Sequence, residues 1–235
     1  MNERKSAIFG AIIKEHVTQG NTVASKVLVD KYDFKLSPAT MRNEMVELER
    51  EGYIFQPHTS AGRIPTEKGW KYYIDNFIEI KPISRKHKEM LDNILQETGI
   101  SFDTVVKKAS KILAEISKDA VFVGFSPDDF YYTGLSHLFK NPEFQKLDLV
   151  HHISEVVDHL DEAITDMFEE VRESKEEKVL IGNDNPFGAE CSTIITSYSN
   201  GKDIRGVFGI LGPMRMNYED NMALIKYAKE LFNNV

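Results

Sequence analysis

The run 36–66, LSPATMRNEMVELEREGYIFQPHTSAGRIPT, gathers the side chains whose types and spacing best suit a chemical role. Ser37 is a good helix N-cap and Pro38 suits the first helical position, so a helix is predicted to begin there. Met41, Met45 and Leu48 recur at helical spacing as one inward stripe, and Gly52 is expected to close the helix as a left-handed cap. The other face carries Ala39, Thr40, Asn43 and Glu47, with Arg42 to one side. A helix start that is small and polar can approach base edges in a major groove, and Asn pairs bidentately with adenine. Thr40 and Asn43 are therefore predicted to read bases, beside Ser37 and Ala39, while Arg42 holds backbone. Tyr53, Ile54 and Phe55 form a short strand, turn formers fill 56–62, and Arg63, Ile64 and Pro65 return as a second strand. His58 and Arg63, with Thr59 and Ser60 between them, are expected to reach phosphates or the neighbouring minor groove.

Competing chemistry is weaker elsewhere. His151, His152 and His159 lie among Asp148, Glu155, Asp158 and Asp161, but a solvated acidic helix explains them and no ligand geometry is specified. Cys191 has no His or basic neighbour in sequence and reads as a small buried hydrophobe. The glycine-rich run 206–213 lacks a Walker lysine, so its glycines suit close packing in a sheet or under a helix. No catalytic set emerges, and no metal or cofactor is expected.

The elements around the run must position it. Ala7, Ile8, Ile12, Ile13 and Val17 mark a helix over 3–18 that Gly20 ends, and Thr22 is the predicted N-cap of a second helix reaching Tyr32, with Val23, Val27 and Leu28 buried. Helix, helix, recognition helix and hairpin follow in the order of a winged helix-turn-helix. Thr66 caps a further helix to about Ile78, whose Trp70, Tyr73, Ile74 and Phe77 form an aromatic stripe. Core packing is the plainest role for that stripe, yet the face around Trp70 is also the favoured surface for self-association, ahead of the two helices at 85–117.

Lys81, Pro82, Ile83 and Ser84 break the pattern and mark a domain boundary. Helices are predicted at 85–97 and 102–117, interrupted at 98–101. An apolar run at 120–125 reads as a buried strand. Residues 147–150 start a strand or a helix, 157–173 form an acidic helix, and 179–181 form a strand. A hairpin over 192–198 and 204–211 turns at Asn200 and Gly201, and a closing helix spans 218–232, with Met222, Ile225, Ala228, Lys229 and Phe232 on one side. The fold class is α+β with a mainly antiparallel sheet.

Composition sets outer limits. The chain has 235 residues, a net charge of −8 and one cysteine, which excludes an intramolecular disulfide framework. Residues 1–88 hold 15 Lys and Arg against 11 Asp and Glu, and residues 89–235 hold 14 against 26, so a basic head precedes an acidic body. No long apolar run suggests a membrane span, and the N-terminus lacks the marks of a signal peptide, so a cytoplasmic, nucleoid-associated protein is expected.

The string LSPATMRNEMVELEREGYIFQPHTSAGRIPT, and PHTSAGRIPT above all, resembles the N-terminal domain of the HrcA heat-inducible transcription repressors. Further on, YYTGLSHLFKNPEF, VLIGNDNP, CSTIITSY and GVFGILGPMRMNY resemble, in order, the GAF-like domain of the same family. The resemblance implies a winged-helix domain over 1–80, a helical linker over 81–118 and a GAF-like regulatory domain over 119–235. It implies a homodimer on double-stranded operator DNA, an inverted repeat of the CIRCE type upstream of chaperone genes. A GroEL-type chaperonin would keep the repressor active until heat stress releases it. The family carries an inserted dimerisation domain between the strand at 120–125 and the motif starting at Tyr131, and here 126–130 replace it. Two other classes fit the residues: a regulator sensing a small molecule through the GAF-like domain, and an interaction protein that has lost DNA binding.

Overall fold

The computed structural model describes residues 1–97, 99–126, 128–145, 147–158, 160–172, 176–200 and 203–234, so Thr98, Pro127, His159 and Gly201 lie outside the described residues. The chain divides into two compact units, Met1–Ile78 and Glu79–Val235.

The first unit runs α1 (Glu3–Gln19), α2 (Ser25–Lys31), α3 (Pro38–Arg50), β1 (Ile54–Phe55), β2 (Ile64–Pro65) and α4 (Glu67–Phe77). Its core takes Ile8, Ile12 and Ile13 from α1, Leu28 from α2, the predicted Met41, Met45 and Leu48 from α3, and Trp70 from α4. Each such side chain contributes about 1.5–3 kcal/mol by leaving water. Phe9 sits against the rings of Tyr53, Tyr72 and Phe77, with centroids 5.8–6.0 Å away. Trp70 is 1% exposed and lies 6.0 Å from the His16 ring. The indole therefore packs inside the unit, as core packing expects, while Tyr73 and Phe77 of the same helix are half-buried. The predicted cap at Thr22 is corrected. Helix α2 begins at Ser25 after Ala24 without a side-chain cap. The Thr22 hydroxyl instead accepts the Gly62 N–H at 3.1 Å, tying the chain before α2 to the hairpin.

The second unit runs α5 (Arg85–Leu95), α6 (Phe102–Ser117), β3 (Ala120–Ser126), β4 (Asp129–Thr133), α7 (Leu135–Leu138), α8 (Leu147–Asp158), α9 (Leu160–Arg172), β5 (Lys178–Ile181), β6 (Cys191–Asn200), β7 (Asp203–Pro213) and α10 (Tyr218–Asn233). Five strands form one antiparallel sheet in the order β4-β3-β7-β6-β5. Alternate strand residues point to opposite faces. Ala120, Phe122, Val207, Leu211 and Ile195 meet Ile153, Ile164 and Met167 of α8 and α9. On the other face Tyr198 and Phe208 pack on Phe232 of α10, and Tyr198 also meets Phe102 of α6. Burial on both faces explains why β3 and β7 read as near-continuous apolar runs.

Residues 147–150 resolve to the start of α8, an amphipathic helix whose Ile153 is fully buried. The helices expected as a linker group with this second unit, and Leu91, Ile94, Val106 and Leu113 are buried there. Where the insert of the resembled family is expected, β3 and β4 pair directly, Val121 opposite Thr133, with a register shift between Gly124 and Ser126. The sheet therefore keeps β4 as an edge strand. The glycines of 206–213 serve sheet packing: a Cβ on Gly209 would lie 2.5 Å from Phe122 Cζ and 2.6 Å from the Ile194 carbonyl.

Candidate nucleic-acid interface

Helix α3 starts where the sequence places it. Ser37 adopts an extended backbone, its hydroxyl accepts the Thr40 N–H at 3.1 Å, and Pro38 opens the first turn. The Ser37 and Thr40 hydroxyls also lie 2.9 Å apart, so the cap holds the Thr40 side chain in place. Met41, Met45 and Leu48 anchor the opposite side. Ser37, Ala39, Thr40, Arg42 and Asn43 are left exposed together. The Arg42 and Asn43 side chains make no hydrogen bond or ion pair among the described residues, so both donors are open to an incoming ligand.

The acids of this helix are neutralised elsewhere. Glu44 meets Arg4 at 3.0 Å, Glu47 meets Arg50 at 3.0 Å, Glu49 meets Arg63 at 3.0 Å, and the C-cap Glu51 meets Lys5 at 2.5 Å. None of them stands in the first turn. The exposed end of α3 thus joins the positive pole of a helix dipole to an unpaired guanidinium, a combination suited to anionic backbone. Such surface pairs add little stability each, but they remove negative charge from this face.

The hairpin pairs Ile54 with Pro65 and Phe55 with Ile64, and its tip exposes His58, Thr59 and Ser60. The Gln56 side-chain amide donates to the carbonyls of Thr59 at 3.1 Å and Ala61 at 2.7 Å, which shapes the tip from inside. At the root, Val23 and Arg63 exchange backbone hydrogen bonds of 2.9 Å. Gly62 is required there, because a Cβ would lie 2.4 Å from the Val23 carbonyl.

Arg63 differs from the rest of the sequence-derived set, which is exposed. It is 8% exposed, and its Nε and Nη2 donate to Glu49 Oε2 at 3.1 and 3.0 Å. Its position at the root of the hairpin, just before β2, brings the guanidinium to the Glu49 carboxylate of α3. Two cations escaped the sequence reading. Lys26 on α2 and Lys35 in the turn before Ser37 are exposed and unpaired among the described residues, with Lys35 in the left-handed region at φ 53°. Their signal in sequence, a lysine beside a cap, is too common to single out. With the boundary after Ile78, the first unit holds 11 Lys and Arg against 10 Asp and Glu, so its charge is local and not global.

In the second unit, no cluster of His, Cys, Asp and Glu among the described residues has the arrangement of a metal site. His151 and His152 are exposed on α8. Cys191 is buried, its thiol donates to the Phe187 carbonyl at 3.2 Å, and burial pushes that thiol up to about 12. No described helix is long and apolar enough to cross a membrane.

Over 123 residues the chain is 42% identical to the heat-inducible transcription repressor HrcA of Nocardioides sp., a stretch covering 52% of this chain and 36% of that relative. It is 38% identical over 125 residues to the repressor of the same name from Acidothermus cellulolyticus, covering 53% of this chain and 37% of the relative. The matched stretch therefore spans little more than a third of either relative. A crystal structure of a hypothetical protein superposes with a TM-score of 0.78 at 18% identity, covering 100% of this chain and 97% of its own, and shares the mixed helix and antiparallel-sheet fold. The family model for the HrcA protein C-terminal domain matches residues 72–222, more than half of the chain, and the protein belongs to the HrcA family.

Proposed function

We propose that the protein is a heat-shock transcriptional repressor, not an enzyme, whose first unit is a winged helix-turn-helix and whose second is a GAF-like regulatory domain. The observation that carries this reading is the exposed, acid-free start of α3, where Arg42 and Asn43 stand unpartnered beside Ser37, Ala39 and Thr40. The relatives' shared name, heat-inducible transcription repressor, supports the same biology. Asn43 and Thr40 read base edges in the major groove, Arg42, Lys26 and Lys35 hold phosphates, and His58, Thr59 and Ser60 at the wing tip approach the flanking groove. One such module reads few base pairs, so two copies share the two-fold axis of an inverted repeat of the CIRCE type. Heat lowers the folded, DNA-competent population, and a GroEL-type chaperonin restores it in the cytoplasm.

Selection of duplexes from a random-sequence pool by the full chain, followed by sedimentation with and without the selected DNA, tests this. The reading expects a selected inverted repeat bound by two copies and weakened after a heat step. Failure to enrich any sequence would sink it. A regulator controlled by a small molecule differs in one respect: its release depends on that molecule and not on heat or chaperonin.

A further inference from the structure

We infer that Glu49, Arg63 and Gln56 form a strut that sets the wing tip at a fixed place relative to the reading face of α3. The inference rests on the DNA-binding reading of the first unit. Glu49 is the only α3 side chain, among the described residues, that bonds to the hairpin, and it does so at two points. Its Oε1 accepts the Gln56 backbone N–H at 2.9 Å where the first strand ends. Its Oε2 accepts both Nε and Nη2 of Arg63, at 3.1 and 3.0 Å, where the second strand begins. One carboxylate therefore clamps both legs of the hairpin to the helix.

The remaining contacts extend the clamp to the tip. Gln56 carries it outward, because the same residue whose N–H is held by Glu49 donates its side-chain amide to the Thr59 and Ala61 carbonyls. The Val23–Arg63 bridge and the Thr22 hydroxyl on Gly62 fix the opposite side of the root. The strands themselves are two residues each, too short to define the hairpin's angle by pairing alone. A near-buried guanidinium held by a carboxylate in place of solvent defines it instead, since the planar fork gives direction as well as charge. Arg63 and Glu49 are thus positioning residues that act through His58, Thr59 and Ser60.

Charge makes the inference testable. Glu49 is an acid on the proposed DNA-binding unit, so simple electrostatics expects Glu49→Gln to bind DNA more tightly. The strut expects the reverse. On an inverted-repeat duplex selected by the wild-type chain, Glu49→Gln and Arg63→Met of the full chain should each bind about tenfold more weakly, the order of one lost base-edge contact. Hydroxyl-radical footprints should lose protection at the flanks while keeping it at the α3 contacts. The salt slope should stay at the wild-type value, because no phosphate contact is removed. Binding by Glu49→Gln that is equal or tighter with an intact flank footprint overturns the inference. A salt slope reduced by about one unit in Arg63→Met does so too, because it would make Arg63 a phosphate ligand. If Arg63→Met fails to fold, Gln56→Ala, which leaves the Glu49–Arg63 pair in place, decides: lost flank protection supports the strut and an unchanged footprint overturns it. Failure of the wild-type chain to select any duplex is a separate result, and it counts against the DNA reading itself.

Discussion

In the first unit Glu44, Glu47 and Glu49 of α3 and its cap Glu51 each meet a cation, whereas in the second unit the carboxylate of Asp119, between α6 and β3, accepts the Asn221 amide at 3.0 Å and meets no cation among the described residues. Asp119 is 5% exposed and lies against the backbone of Gly212, where a Cβ would sit 2.6 Å from its Oδ1. Burial pushes its carboxyl up to about 7, against the opposing pull of the Asn221 amide and the Arg215 guanidinium. The contrast shows what pairing does. Acids that are paired near the surface lose their outward charge, which leaves the exposed Arg42 guanidinium uncompensated at the start of α3. An acid that is buried without a cation changes its proton affinity and says nothing to the outside.

The largest expected break falls on the cores that keep the units distinct. Trp70→Ala should cost the first unit about 3–5 kcal/mol, as the loss of a buried aromatic does. Hydrogen exchange should then rise across α1 to α4 while β6 and β7 stay protected. Equal loss of protection in β6 and β7 would mean that the two cores are energetically one.

Next comes Asp119. Its carboxyl binds a proton more tightly folded than unfolded, so the folded state keeps that proton between about pH 4 and pH 7. Stability from this site is therefore highest below that window, falls as pH rises through it, and is flat above it. Asp119→Asn removes the ionisation and should stabilise the second unit at pH 8, by at most about 4 kcal/mol, with little change at pH 4. Denaturant titrations at the two pH values check this. A stabilisation that does not depend on pH would show that the carboxyl is ordinary.

The smallest effect is the most local. Arg42→Ala should leave stability nearly unchanged, because the side chain is exposed and unpaired among the described residues. It should weaken binding to selected and random duplexes alike and lower the salt slope by about one unit. An unchanged slope would place the guanidinium away from phosphate.

Much of this arrangement is legible in the chain, for reasons that differ by element. Ser37-Pro38 and the Met41, Met45, Leu48 spacing predict α3 and its inward face, and the start and buried side are as expected. Caps and apolar period are local, so local sequence carries them. The pairing of Arg63 is not local: its partner Glu49 is 14 residues away, and nothing in the RIP triplet shows which way a guanidinium turns. The helices expected as a linker over 81–118 group with the second unit, where Leu91, Ile94, Val106 and Leu113 are buried, and a helical apolar period alone does not say which unit a helix joins. Strand β4, with the sequence DFYYT, escaped notice because an edge strand with mixed exposure has neither a continuous apolar run nor clean alternation. Residue type alone makes Thr22 a cap, and only the fold brings the Gly62 N–H to its hydroxyl.

The central claim, that the exposed start of α3 reads DNA sequence, is tested most directly by Asn43→Ala in the full chain. Binding would be measured against duplexes carrying the selected inverted repeat, each single-base variant of one half-site, and a random duplex, at fixed salt. Discrimination should collapse at one position of each half-site, by about 1–3 kcal/mol, while random-duplex binding is retained. An equal loss on every duplex, or no loss on any, would contradict it.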